Sequence, residues 1–216
     1  MKAKQNKADR SGLTVFEVLM VIILAVIAVG VILPMFARPT NRSSRIRCVN
    51  NLKQVALSFR IYANDNNDLY PMQIADDKGG AKDSIARTEV FRVFLAMSNE
   101  LSVPKTVVCP NDSQIAATSW DVFGKTNISY FVGLDAENGR TNMILSGDRD
   151  IAEQGQLLSG TANLTTNRPV AWHKLLHKEG GNIALADGSV QQTTTATLRQ
   201  LLANTGDTTN RVLFPQ

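Results

Sequence analysis

The chain is poor in the side chains that carry most enzymatic chemistry, with two cysteines and two histidines among 216 residues. Cys48 and Cys109 lie far apart in sequence, so no C-x-x-C pair is present. An H-E-x-x-H pair, a nucleophilic-serine elbow and a phosphate-binding loop are absent as well. These absences argue against zinc peptidases, serine hydrolases and nucleotide hydrolases. We therefore expect no enzymatic activity, no cofactor and no metal.

Positive charge is scarce beyond the first residues. The formal net charge is +4, and residues 1–12 account for +3 of it, which leaves +1 for residues 13–216. A nucleic-acid partner is not expected, because binding to phosphates needs clustered cations. One basic group follows the apolar segment described next, and we interpret it as flanking a membrane. Its members are Arg38, Arg42, Arg45 and Arg47.

Charge is also missing from a long apolar segment near the N-terminus. Residues 18–36 carry no charged side chain, and residues 13–37 carry one, Glu17. A helix of this length could cross the roughly 30 Å hydrocarbon core of a bilayer. The sequence therefore predicts a basic leader peptide over 1–12 and a transmembrane helix over 13–37.

The junction of these two segments reads GLTVFE over residues 12–17 and resembles the prepilin signature of type IV pilins and type II secretion pseudopilins. In that family a membrane peptidase cuts after the glycine, the new terminal residue is N-methylated, and the fifth mature residue is glutamate. The resemblance implies cleavage between Gly12 and Leu13, methylation of Leu13 and a role for Glu17 in assembly. The family usually has phenylalanine where this chain has Leu13. Pro34 falls where many pilins have a helix-bending proline.

Glu17 has a physical reason to stand there. A carboxylate at membrane depth costs on the order of 2.5–3.5 kcal/mol, so it needs a partner. Cleavage after Gly12 would create an α-amino group with a pKa of about 7.7–8.0, which is largely cationic. The two charges could pair within a subunit or between neighbours, and the family's filament model has the second arrangement. We expect cleavage to switch on assembly; the alternative is an acid that reaches out to water.

Beyond this segment, Pro39 predicts a bend, because proline disfavours helix at the residue before it. Apolar residues then recur at helical spacing, which predicts an amphipathic continuation of the spine over 38–66. Residues 48–71 are similar to the equivalent stretch of pseudopilins. The remaining residues, 67–216, are predicted to form a globular domain with a helix near 84–98, an extended segment at 106–110, strands near 128–134 and 142–146, and a final helix near 195–203.

The expected fold class is α+β, with a long N-terminal transmembrane spine helix packed on an antiparallel β-sheet. Cys48 and Cys109 could form one disulfide in an exported body, or they could remain two buried thiols. The sequence leaves both alternatives open.

A second motif lies near the C-terminus, where His177 precedes Asp187-Gly188 by nine residues. Asp187-Gly188 is a strong hairpin-turn signal. The spacing resembles the H-X9-DG domain found at the C-terminus of some prepilin-type proteins. A histidine–aspartate pair could orient a base or hold a metal. A tight turn is already a sufficient role for Asp187, so we interpret the motif as structural.

These patterns predict a non-enzymatic pilin-like subunit that a prepilin peptidase processes and that assembles with other subunits into a pseudopilus or a pilus-like filament. The alternative is a membrane-tethered ligand-binding or enzymatic domain that uses this end only as an anchor. The expected location is the inner membrane, in contact with its lipid, with a cytoplasmic N-terminus and the body in the periplasm.

Overall fold

The computed structural model describes residues 14–35, 41–178 and 180–216. Contacts divide the chain into two compact units, Met1–Pro39 and Thr40–Gln216. The helices are α1 (Val15–Met35), α2 (Asn41–Asp65), α3 (Lys82–Ala86), α4 (Val90–Ala96), α5 (Ser98–Leu101) and α6 (Thr195–Asn204). The strands are β1 (Tyr130–Gly133), β2 (Ile144–Asp148), β3 (Ile151–Glu153), β4 (Gln156–Leu157), β5 (Gly160–Asn163), β6 (Val170–Trp172), β7 (Gly180–Leu185), β8 (Val190–Thr194) and β9 (Arg211–Phe214).

In the N-terminal unit, α1 begins with a reciprocal cap. The Glu17 backbone N–H donates to the Thr14 hydroxyl at 3.3 Å, and the Thr14 backbone N–H donates to the Glu17 carboxylate at 3.4 Å. This T-x-x-E capping box satisfies backbone donors that a helix start leaves without partners. Side chains 14–30 are exposed. Their apolar character is therefore not used for packing within this unit.

The predicted transmembrane helix over 13–37 is wrong. Across the described ranges, none of the helices combines the length and the apolar character that crossing a membrane requires. The acid Glu17 lies in the first turn of α1, so the uninterrupted apolar part of this helix begins at Val18. From Val18 to Met35 the helix rises about 27 Å at 1.5 Å per residue. That is less than the roughly 30 Å of a hydrocarbon core.

The sequence predicted a spine helix over 13–37 that continues over 38–66. The structure describes two separate helices there, α1 and α2, which fall in different units. Pro34 lies in the last turn of α1. The predicted bend at Pro39 lies outside the described residues.

In the second unit, α2 presents its predicted apolar face to a core. The buried residues recur at three- and four-residue steps, as one face of a helix requires. They are Cys48, Leu52, Val55, Ala56, Phe59, Tyr62 and Ala63. The helix ends at a turn in which Asn67 and Asp68 have positive φ and the Asp68 N–H donates to the Ala63 carbonyl at 2.9 Å.

The unit is α+β, and its strands pair antiparallel. The main sheet has the order β5-β9-β1-β2-β7-β8, and a smaller one has the order β4-β3-β6. Side chains of the central strands alternate between two cores, because successive residues of a strand point to opposite faces. Tyr130 and Val132 join the core under α2, whereas Phe131 joins the core that contains α6. All six residues of β7 are buried.

Several predicted elements differ from the structure. The helix expected near 84–98 is divided into α3, α4 and α5. Thr88, with φ of 59°, stands between α3 and α4, so regular helix cannot continue there. The expected extended segment at 106–110 begins inside a 3₁₀ turn, Pro104–Val107. Strands β3 to β6 and β9 were not predicted, because they are short and have little apolar alternation.

Candidate functional site

The site begins at a disulfide between α2 and the segment after the 3₁₀ turn. Cys48 and Cys109 are bonded, with their Cα atoms 4.8 Å apart and a sequence separation of 61. Both cysteines are fully buried. Of the two alternatives that the sequence left open, the structure has the disulfide. It closes a long loop against the first turns of the helix that carries the core.

His177 lies on this disulfide. Its Nε2 is 3.5 Å from the Cys109 sulfur, and its Nδ1 is 3.1 Å from the Asn111 side-chain nitrogen. The same Asn111 amide donates to the Leu176 carbonyl at 3.3 Å. An amide that donates to both groups leaves Nδ1 as an acceptor, so the proton of the neutral ring is on Nε2.

Two buried aspartates complete the group. Asp148, the last residue of β2, has its Oδ2 3.4 Å from the His177 Nε2 and accepts from the Asn182 backbone and side-chain nitrogens at 2.7 and 2.8 Å. Asp150 accepts from the Leu176 N–H at 3.1 Å. We call the set of Cys48, Cys109, Asn111, Asp148, Asp150, His177 and Asn182 the His177 cluster.

Burial sets the protonation of the cluster. Burial, and then the neighbouring Asp150 carboxylate, raise the pKa of Asp148 well above its ordinary value; the Asn182 hydrogen bonds and the charge of Arg45 offset only part of this rise. Burial also raises the pKa of Asp150 to about 7. Burial, and then the charge of Arg45, lower the pKa of His177 to about 4. His177 and Asp148 have the geometry of an ion pair, but these directions favour two neutral side chains.

A charged pair lies beside the cluster. Arg149 donates to both Asp112 carboxylate oxygens, at 2.7 and 2.8 Å, and the Asp112 side chain is fully buried. Burial raises the pKa of Asp112, but the hydrogen bonds and the charge of Arg149, together with the hydrogen bond from the Gln114 N–H, lower it, and the net pKa lies below its usual value. The bidentate pair ties the segment after Cys109 to the turn between β2 and β3.

A cleft of about 510 Å³ opens onto His177. Its lining is mostly cationic and polar: Arg45, Asn111, Lys174, Leu175, Leu176, His177 and Lys178. Arg45, which the sequence analysis interpreted as one of four membrane-flanking cations, has a half-buried side chain, and its buried Nε has no hydrogen-bond partner.

The two halves of the H-X9-DG motif lie at opposite ends of β7. Gly188 has φ of 86°, the Ser189 N–H donates to the Asp187 carboxylate at 2.8 Å, and Arg60 of α2 donates to the Asp187 carbonyl at 3.0 Å. Six strand residues at about 3.3 Å each separate this turn from the His177 end. His177 and Asp187 therefore do not form a pair. The acid beside His177 is Asp148.

The prepilin-type residues are described only in part. Gly12 and Leu13 lie outside the described residues. Glu17 is in the first turn of α1, where it caps the helix. The sequence interpretation missed this role, although Thr14 followed three residues later by glutamate is a recognised capping signal.

Sequence reasoning also missed Asp148, Asp150 and Asn111. An aspartate that ends the apolar stretch ILSGD was the available signal for Asp148. Nothing in the spacing linked it to His177. Comparison of the chain with protein-family models, with curated proteins and with solved structures finds no match.

Proposed function

We propose that the chain is a non-enzymatic pilin-like subunit that is cut after Gly12 and assembles through its N-terminal helix into a type II secretion pseudopilus or a type IV pilus-like filament. The observation that carries the proposal is the GLTVFE sequence of residues 12–17, which runs into the first turn of an apolar helix. The H-X9-DG resemblance at the other end of the chain supports the same class.

The exposure of α1 supports assembly. Many large apolar side chains of this helix face solvent, among them Val15 at 89% and Phe16 at 72%. Burying a side chain of this kind stabilises by about 1.5–3 kcal/mol. A contiguous apolar surface is a common mark of an interaction site. Helices of neighbouring subunits would remove this surface from water.

Glu17 supplies the proposed control over assembly. It is the one acid of α1, within a helix that is otherwise without charge. An α-amine released at Leu13 would attract this carboxylate strongly in apolar surroundings. The capping box offers Glu17 a second, purely structural role, so a test has to separate charge from capping.

Two substitutions make that separation. Glu17→Gln keeps a side-chain acceptor at the third helical position and removes the charge. Thr14→Ala removes the capping hydroxyl and keeps the charge. We expect Glu17→Gln to be cleaved yet absent from high-molecular-weight assemblies, and Thr14→Ala to enter them. Assembly of Glu17→Gln at the wild-type level would refute the electrostatic role.

Cleavage has its own test. Mass analysis of the protein extracted from membranes should find Leu13 at the terminus, N-methylated, and Gly12→Val should leave the uncut precursor. A working protein that retains residues 1–12 would contradict the proposed function. Other subunits, the peptidase and membrane lipid are the proposed partners. Cell fractionation tests the proposed inner-membrane and periplasmic location.

The cleft favours a second candidate, a tethered ligand-binding domain. Arg45, Lys174 and Lys178 surround it, and the buried Nε of Arg45 lacks a partner. In that case Glu17→Gln should leave the activity of the protein unchanged. A filament subunit should lose its function with this substitution.

A further inference from the structure

Three side chains that bind soft metals meet in the His177 cluster. The ligand atoms of Cys48, Cys109 and His177 all lie within 4.8 Å of one another, and all three residues are buried. In the oxidised protein the two sulfurs are joined in a disulfide, so neither is a thiolate that could bind a metal ion. The chain is synthesised with two thiols, however, so a reduced form precedes the disulfide.

We propose that the reduced chain binds one zinc ion through Cys48, Cys109 and His177, and that this ion and the disulfide exclude each other. Thiolate and imidazole are preferred zinc ligands. Each cysteine thiol gives up one proton when it binds the ion. Oxidation of the bound form would remove two electrons from the two thiolates, join the sulfurs and release the zinc ion; the disulfide of an exchange partner would take up the two electrons and two protons from solvent and become a dithiol.

The distances around His177 fit a tetrahedral ion. Bond lengths of about 2.3 Å to sulfur and about 2.0–2.1 Å to nitrogen place those two ligand atoms about 3.5 Å apart. The Cys109 sulfur is 3.5 Å from the His177 Nε2. The two sulfurs would have to lie about 3.8 Å apart. The required change is therefore that Cys48 swings away from Cys109 after the bond is broken.

Asp148 faces the fourth position. Tetrahedral geometry places nitrogen and oxygen ligands about 3.3 Å apart, and the Asp148 Oδ2 is 3.4 Å from the same Nε2. The other carboxylate oxygen, Oδ1, is buried without a hydrogen-bond partner. A cation beside this buried carboxyl group would favour its ionised form, so Asp148 would release its proton when the ion binds. Asp148 would thus complete the coordination or stabilise the ion at short range.

Asn111 would set the state of the imidazole. Metal binding at Nε2 requires the proton on Nδ1, so the Asn111 amide must turn its oxygen toward the ring. It would give up the donation to the Leu176 carbonyl in doing so. Asn111→Asp, which offers an acceptor in either orientation, should therefore increase the affinity for the metal.

The test uses untagged full-length protein and cobalt(II) as a spectroscopic substitute for zinc. A phosphine reduces the disulfide by giving two electrons to the sulfurs; one water molecule supplies the two protons of the thiols and the oxygen of the phosphine oxide that forms. We expect the reduced protein to bind one cobalt ion with a thiolate-to-cobalt charge-transfer band, and added zinc to displace it. The oxidised protein should show no band.

The chain provides a matched control, because it has two histidines. His177→Gln should weaken binding by tenfold or more, whereas His173→Gln should leave it unchanged. Asp148→Asn should weaken binding and keep the thiolate band. Circular dichroism shows whether each reduced protein is folded. No band in the reduced wild type, or the same affinity in His177→Gln and wild type, would overturn the proposal.

Discussion

Asp150 offers the sharpest test of the electrostatics, through Asp150→Asn. Its carboxyl is buried, its Oδ1 has no partner, and burial raises its pKa from 3.8 to about 7. The folded chain therefore keeps a proton that the unfolded chain releases across this range. The raised pKa contributes stability that is complete below about pH 4 and is lost as the pH rises through 7. The whole effect is on the order of 4 kcal/mol, since one pKa unit is about 1.4 kcal/mol.

Two neighbouring groups, Asp148 and His177, also change the free energy of unfolding in this pH range. Asp148 also has a raised pKa, so its contribution falls with rising pH as well. The pKa of His177 is lowered to about 4, so its contribution has the opposite sign: it is lost as the pH falls from 6.5 toward 4. The contributions of Asp148 and His177 therefore oppose each other as the pH rises toward 6.5. Both groups are kept in Asp150→Asn, so the difference in slope between wild type and this variant reports Asp150, about 1.4 kcal/mol lost per pH unit.

The measurement is the free energy of unfolding by urea between pH 4 and pH 8, with the disulfide intact and the full chain kept dispersed by a non-ionic detergent. We expect the stability of wild type to fall more steeply than that of Asp150→Asn as the pH rises from 4 to 6.5, by about 1.4 kcal/mol per pH unit. The variant should also be the more stable protein at pH 7. Asp121→Asn, at an exposed aspartate, is the control and should keep the wild-type slope. Equal slopes in wild type and Asp150→Asn would refute the reasoning.

Two further substitutions test the packing. The double variant Cys48→Ser and Cys109→Ser should lower the free energy of unfolding by about 4 kcal/mol, because the bond closes a loop of 61 residues; non-reducing urea titrations measure it, and an unchanged midpoint would contradict a structural disulfide. Gly181→Ala should destabilise by about 1–3 kcal/mol, since an added Cβ would meet the Trp172 ring. Thermal unfolding followed by tryptophan fluorescence measures that loss, with Gly124→Ala, where open space surrounds the Cβ position, as the matched control.

Local pattern was enough where neighbouring residues decide the structure. The three- and four-residue spacing predicted the buried face of α2, because the period of a helix alone determines which side chains share a face. Asp187-Gly188 predicted the turn between β7 and β8, because only a few residues tolerate positive φ. The short strands β3 to β6 and β9 carried too little alternation to be recognised.

The predicted helix over 13–37 shows the limit of composition. Its apolar run is evident, but the position of Glu17 and the bounds of α1 decide how much of it is continuous apolar helix. The role of Glu17 also needed the structure, because the capping box depends on where the helix begins.

The sequence by itself determined the buried face of α2 and the hairpin turn, since these depend on residues close together in the chain. The tertiary structure alone decided the chemistry of the His177 cluster. It paired the cysteines, separated His177 from Asp187, and placed Asp148 beside the imidazole. The physical reason is that strand pairing and helix packing bring together side chains that are tens of residues apart, and no local spacing records those contacts.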